Sequence, residues 1–214
     1  MLKRTTRTDL NKILNKNKKW NVLDIGCGYR PHDNANVIAD AQDFSEHYKD
    51  KKFIQIKEKI LPFKNKEFDF VIASHVIEHV ADFEFFILEL ERISTKGYIE
   101  LPTRLGDNLV FENKKDHIWW FCFDDISNNL LASKKNQLIE PFLNVSTAKM
   151  LENVFRESLV IELIWEDKID YKFDESIKNA NFEKISFLKL IKKYFSKKIR
   201  VKISTLKDLF IKKR

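Results

Sequence analysis

The chain has 214 residues, 43% hydrophobic and 33% charged, enough for one sizeable core and too few for a large second domain. No apolar run approaches the roughly 20 residues of a membrane span. The basic start MLKRTTRTDL lacks the apolar stretch expected of a secretory signal, and two cysteines, Cys27 and Cys122, fit a reducing cytoplasm better than a disulfide framework. The net charge of +7 is uneven: residues 1–20 hold seven basic and one acidic residue and residues 187–214 eleven and one, leaving 21 basic against 30 acidic between them. An acidic body argues against nucleic acid lying across it, whereas basic ends suit an anionic surface.

In chain order, Leu10, Ile13 and Leu14 recur at helical spacing over 8–18 with Thr8 as cap, so residues 1–20 read as a basic N-terminal helix. Val22, Leu23 and Ile25 form a short strand that runs into Gly26 and Gly28, with Asp24 just before them. A buried strand breaking into a glycine turn is where open α/β sheets bind nucleotide-like ligands, because glycine lets main chain approach closely. Residues 36–40 read as a second strand ending in an acid, Asp40. Only eight residues separate Gly28 from Val37, so the crossover helix is expected to be missing or cut to about a turn. Residues 53–57 and the continuous apolar run 68–74 read as the third and fourth strands, 76–93 as a helix, and 97–101 as a fifth strand stopped by Pro102. Beyond it, 104–116 reads as a loop over the carboxyl edge of the sheet and 124–131 as a helix. Residues 159–165 and 169–173 read as an antiparallel hairpin at the sheet edge. From Phe187, a helix carries Phe187, Leu190, Ile191, Tyr194 and Phe195 on one face and lysines opposite, so 187–214 reads as a basic amphipathic helix.

VLDIGCG, VIAD, ILPFKNKEFDFVIASHVIEHV and GYIELP follow one another over about residues 20–103. Together they resemble the successive motifs of class I S-adenosylmethionine-dependent methyltransferases of the type 11-like group. The resemblance implies an α/β, Rossmann-like domain over 21–186, with a seven-stranded, mostly parallel sheet, helices on both faces and the last strand antiparallel. It also implies S-adenosyl-L-methionine as cofactor. Carried over residue by residue, Gly26, Cys27 and Gly28 would admit the methionine end, with Asp24 beside its ammonium group and Asp40 on the ribose. Glu58, three residues before LPF, would receive the adenine amino group, and Ser74 and His75 would close the pocket. The chain departs from the pattern at Tyr29, Arg30 and Pro31, where a third small residue and a full helix are usual, and at Glu58, where Asp is commoner.

His75, Glu78 and His79 fall at the start of the 76–93 helix, four-residue spacing setting the two histidines on one face. A metal there would need third and fourth ligands that no nearby cluster provides, so no metal is expected. His79 reads either as packing or as a general base. His117, leading HIWWFCF, reads either as a half-buried core residue or as a pocket group for a sugar or ring. His79 and His117 are thus the catalytic candidates, and Glu100 either points into the site or pairs with Arg104. The function expected is methyl transfer to an oxygen or nitrogen of a small molecule or glycan precursor, a surface-polysaccharide sugar first. Two alternatives stand beside it. One is a non-catalytic cofactor-binding module acting through its basic ends. The other is an NAD-dependent oxidoreductase, suggested by Gly26-x-Gly28 and Asp40 but carrying Pro31 where a third glycine belongs. The tail either packs its apolar stripe on the body or makes peripheral membrane contact.

Overall fold

The computed structural model describes residues 1–174 and 183–211, with 205–211 as helical backbone alone. Among the described residues, ten strands and six helices follow one another as β1 Leu2–Arg4, α1 Arg7–Lys16, β2 Val22–Ile25, β3 Val37–Asp40, β4 Lys52–Gln55, β5 Phe70–Ser74, α2 Phe83–Ile93, β6 Lys96–Pro102, α3 Arg104–Leu109, α4 Asn113–Asp116, β7 Trp119–Asp124, β8 Asn129–Lys134, α5 Val145–Leu159, β9 Val160–Glu166, β10 Tyr171–Phe173 and α6 Phe187–Ile211.

Seven strands form one sheet in the order β1-β9-β6-β5-β2-β3-β4. The pairs β2–β3, β3–β4, β2–β5 and β5–β6 are parallel, and β9 runs antiparallel to both β6 and β1. This is the mostly parallel α/β sheet expected, with its antiparallel strand one place in from the edge. Both faces are buried, which explains the unbroken apolar runs: Phe70 and Ile72 of β5 pack with Leu10 and Leu14 of α1 on one face. Val71 and Ala73 pack with Phe86, Ile87 and Leu90 of α2 on the other. The chain leaves β2 toward β3 and β4 on one side and returns through β5 and β6 on the other. The crevice at the carboxyl ends of β2 and β5 is therefore a topological switch point.

No helix lies between β2 and β3, as the short gap required. In its place the His32 N–H donates to Asp24 Oδ2 (2.7 Å), and the Val22 N–H donates to Asn36 Oδ1 (2.8 Å).

Other expectations are corrected. The N-terminal segment is a strand followed by a helix, and the helix is capped by Thr6, whose Oγ1 accepts the Asp9 N–H, rather than by Thr8. The helix expected over 76–93 is broken: a single 3-10 turn, Ile77–His79, is separated from α2 by Asp82, which caps α2 through the Phe85 N–H. His75 lies before the turn, so the two histidines do not share a helix face. The expected loop over 104–116 contains α3 and α4. α3 buries Asp107 and Asn108 instead of an apolar stripe, which removed the periodic signal. The helix expected at 124–131 is the turn of a β7–β8 hairpin, in which the Asp124 side chain accepts the Ile126 N–H and the Ser127 hydroxyl, and Asn128 has φ +54°. The hairpin expected from 159–173 does not form. β9 enters the main sheet, whereas β10 pairs parallel with β8 in a second, three-stranded sheet β10-β8-β7. Residues 212–214 of the expected tail helix lie outside the described residues.

Candidate active site

The switch point is built around two glycines that need positive φ. Gly26 (φ +70°) lies so close to β5's end that a Cβ on it would come within 2.2 Å of Val76 Cγ2, and its N–H donates to Ala39 O (2.7 Å). Gly28 (φ +51°) donates its N–H to Asp40 Oδ2 (3.0 Å), and the Gln42 N–H donates to Oδ1 (2.9 Å), so the turn and the acid at the end of β3 fix one another. Beside them opens a cavity of about 620 Å³ lined by Gly26, Asp40, Glu58, His75, Val76 and His79, among others.

Of the residues expected to hold a cofactor, Gly26, Asp40, Glu58 and His75 line this cavity, while Asp24, Cys27, Gly28 and Ser74 are not among its walls. Asp24 is buried beneath the turn, and burial pushes its carboxyl up to about 7 even though the His32 N–H pulls the other way. Cys27 packs with Ala35 and Ile38, and burial pushes its thiol up to about 12, so it is not a nucleophile at neutral pH.

A second cavity, about 300 Å³, lies under α3, α4 and α5 and is lined by Gly106, Leu109, His117, Lys149 and Leu159, together with His75 and His79. The two cavities share the two histidines. His75 is held with φ +55°, a conformation uncommon for a side chain other than glycine. Its N–H donates to Glu100 O (2.8 Å), and its ring lies between Glu78 Oε1 and Glu100 Oε1, each at 3.2 Å. Burial works against its charge, but the two carboxylates outweigh it and raise its pKa to about 10, so His75 is an imidazolium at neutral pH.

Glu100 also receives the Tyr98 hydroxyl (2.6 Å), Arg7 (3.1 Å) and Arg156 (2.5 Å). It does not pair with Arg104, which binds Asp174 at 2.6 Å. Burial opposes its ionisation, but His75 and Arg7 hold it well below the usual carboxylate range.

His79 Nδ1 is 3.0 Å from Asp116 O and donates to it, which leaves Nε2 as the free nitrogen, and burial lowers its pKa. Its ring meets that of His117 edge-on, centroids 4.4 Å apart. His117 Nδ1 lies 2.5 Å from Asp107 Oδ1, and Asp107 Oδ2 takes Lys135 Nζ (2.8 Å) and the Trp120 indole (2.5 Å). The two catalytic candidates, 38 positions apart in sequence, are therefore in contact. Asp107, Lys135, Arg7, Tyr98 and Arg156 gave no signal in the sequence, because each is defined by a partner on another element.

Residues 29–99 match a family model described as a methyltransferase domain, beginning just past the glycine turn. No curated protein matches the chain. Among solved structures it is similar to the YcgJ protein of Bacillus subtilis, at 18% identity over 46% of this chain and 52% of that one, TM-score 0.36. It is similar to a protein of Pyrococcus horikoshii OT3 at 18% identity over 75% and 89%, TM-score 0.43. A third is the 1,6-didemethyltoxoflavin-N1-methyltransferase of Burkholderia thailandensis, solved with 1,6-didemethyltoxoflavin and S-adenosylhomocysteine, at 10% identity over 76% and 77%, TM-score 0.40. The chain spans about half the length of the Bacillus protein.

Proposed function

We propose that this chain, a class I S-adenosylmethionine-dependent methyltransferase by its matched domain and its sheet, moves the methyl group to an oxygen or nitrogen of a small molecule or glycan precursor. The observation that carries this is the pair of cavities meeting at His75 and His79, one at the switch point and one beneath α3 to α5. Donor and acceptor must face each other in line, and adjoining cavities supply that alignment.

The cofactor, S-adenosylmethionine, supplies an electrophilic methyl carbon: the acceptor's lone pair forms the new bond as the carbon–sulfur bond breaks and its electrons stay on sulfur. The residues present fit it. Gly26 leaves no side chain between backbone and cavity. Asp40 keeps lone pairs for ribose hydroxyls after accepting two N–H groups, and Glu58 lines the same cavity for the adenine amino group. Asp24, buried beneath the turn and not a wall of the cavity, is the acid proposed beside the ammonium group. A hydroxyl acceptor must lose a proton, and His79, which lines both cavities with its Nδ1 held by Asp116 O, is the base for it in the metal-free chain, steadied by His117. No helix follows the turn to bind a pyrophosphate, which disfavours the NAD reading.

A surface-polysaccharide sugar is the proposed acceptor, supported by the aromatic segment 117–123 and by the make-up of the tail. On α6, Leu188, Phe195 and Ile199 are exposed beside lysines, a surface that suits anionic headgroups. The helix then acts as a peripheral membrane contact appended to the 21–186 domain. Pelleting with phosphatidylglycerol vesicles but not phosphatidylcholine vesicles supports this contact, and no pelleting with either rejects it.

Calorimetric titration with S-adenosylmethionine, S-adenosylhomocysteine and NAD tests the main reading. Micromolar binding of the first two and none of the third is expected, and a folded chain that binds neither of the first two would reject it. Methyl transfer from labelled cofactor into an extract of host cells separates an enzyme from a binding module of the same fold.

A further inference from the structure

We propose that Glu78, His79 and His117 bind one divalent transition-metal ion beside the junction of the two cavities. Each of the three offers one ligand atom, and the three atoms lie within 4.8 Å of one another. The sequence left Glu78 and His79 without a further ligand; the fold supplies it, because the Ile118 N–H donates to Glu78 O (2.8 Å) and holds the His117 segment against the 3-10 turn.

Two histidines in contact are often no more than a packed pair. Three observations point to a ligand instead. His79 is anchored through Nδ1 to the Asp116 carbonyl, and His117 turns Nδ1 toward Asp107 Oδ1 at 2.5 Å, which leaves Nε2 of both rings for a ligand. Anchoring by a backbone carbonyl or a carboxylate is how metal-binding imidazoles are oriented. Asp107 is itself fixed by Lys135 and Trp120, so the His117 ring has little freedom. Lastly, Glu78 is fully buried: its Oε1 faces His75, while its Oε2 has no hydrogen-bond partner among the described residues. An unpaired carboxylate oxygen out of water is costly, and a cation would satisfy it.

Two imidazoles and one carboxylate suit zinc, iron(II), manganese or cobalt, and three protein ligands leave coordination positions open. Ligand atoms about 2.1 Å from a shared tetrahedral ion stand about 3.4 Å apart, so binding draws these side chains together. The role of the ion rests on the methyl-transfer reading. A hydroxyl bound at an open position loses its proton to solvent more readily than a free one, and His79 is then a ligand instead of the base.

The test is calorimetric titration of the full chain, stripped with chelator, with Zn²⁺ and with Co²⁺, the latter also followed by its visible absorption. One equivalent binding at micromolar affinity or tighter is expected, with affinity lower by about tenfold or more in both His79→Gln and His117→Gln. His79 is solvent-facing, so its variant stays folded even if a change at buried His117 or Glu78 does not. No binding to the folded chain, or unchanged affinity in folded His79→Gln, would overturn the site. S-adenosylmethionine titrated into the same stripped chain separates the two proposals: cofactor binding without metal binding rejects this site alone, and metal binding without cofactor binding rejects methyl transfer and leaves the site standing.

Discussion

Asp24 releases its proton near pH 3.8 in an unfolded chain and near 7 in the folded one. Across that interval the folded state holds a proton that the unfolded state has lost, so stability from this group is greatest at low pH and falls by roughly 1.4 kcal/mol for each pH unit toward 7. Asp24→Asn, which keeps an oxygen for the His32 N–H, should therefore melt higher than the parent at pH 8 and match it at pH 4. Melting curves that shift equally at both pH values would show that burial does not control this carboxyl. Asp40 sits differently, at the cavity wall with two N–H donors. Asp40→Ala should weaken S-adenosylmethionine binding by about tenfold or more, about 1.4 kcal/mol, and unchanged affinity would remove Asp40 from the ribose role. Both positions stand out in the sequence, Asp24 just before the glycine turn and Asp40 at the end of the second strand, while their roles toward a cofactor stay proposals. Asp107 does not stand out: it is an unremarkable acid in an aperiodic segment until the fold sets His117, Lys135 and Trp120 around it.

Among elements, the β2 turn and β5 approach so closely that Gly26 is required twice, by its φ and by Val76. Gly26→Ala is expected to cost about 2 kcal/mol or more and to abolish cofactor binding, read by thermal unfolding and calorimetry. Glu100 joins four elements: β6 carries it, α1 and α5 send Arg7 and Arg156 to it, and His75 follows β5. Glu100→Gln leaves these cations facing a neutral group and should destabilise the chain by about 3 kcal/mol. In the same variant the His75 pKa should fall from about 10 toward its ordinary value, measured by NMR titration. A His75 pKa that stays high would assign its charge to Glu78 alone. The sequence misjudged the elements most where polar residues are buried or turn chemistry dominates. α3 has no apolar stripe, and the β7–β8 turn looked helical because its turn residues fall between apolar positions of two strands.

For the whole molecule, β1 from the start of the chain and β9 from residues 160–166 complete one edge of the sheet, and the β10-β8-β7 sheet packs Phe83 of α2 against Trp119, Phe121, Tyr171 and Phe173. α6 differs in kind: its described side chains are almost all exposed, Phe187 stacking on Phe142 being its ring contact to the body. Removing residues 188–214 should leave the melting temperature within about 2 °C and end binding to anionic vesicles, whereas a large loss of stability would show that the tail packs on the body.

The sequence alone determined the sheet's central strands, the glycine turn and the missing crossover helix, because each is written in local patterns: continuous apolar runs, φ-permissive glycines and a gap too short for a helix. Only the tertiary structure decided that His79 and His117 meet beside Glu78, that Glu100 is shared by Arg7, Arg156 and His75, and that β9 and β10 part into different sheets. Those outcomes depend on which distant segments pack together, and the burial that sets their charges exists only once they have.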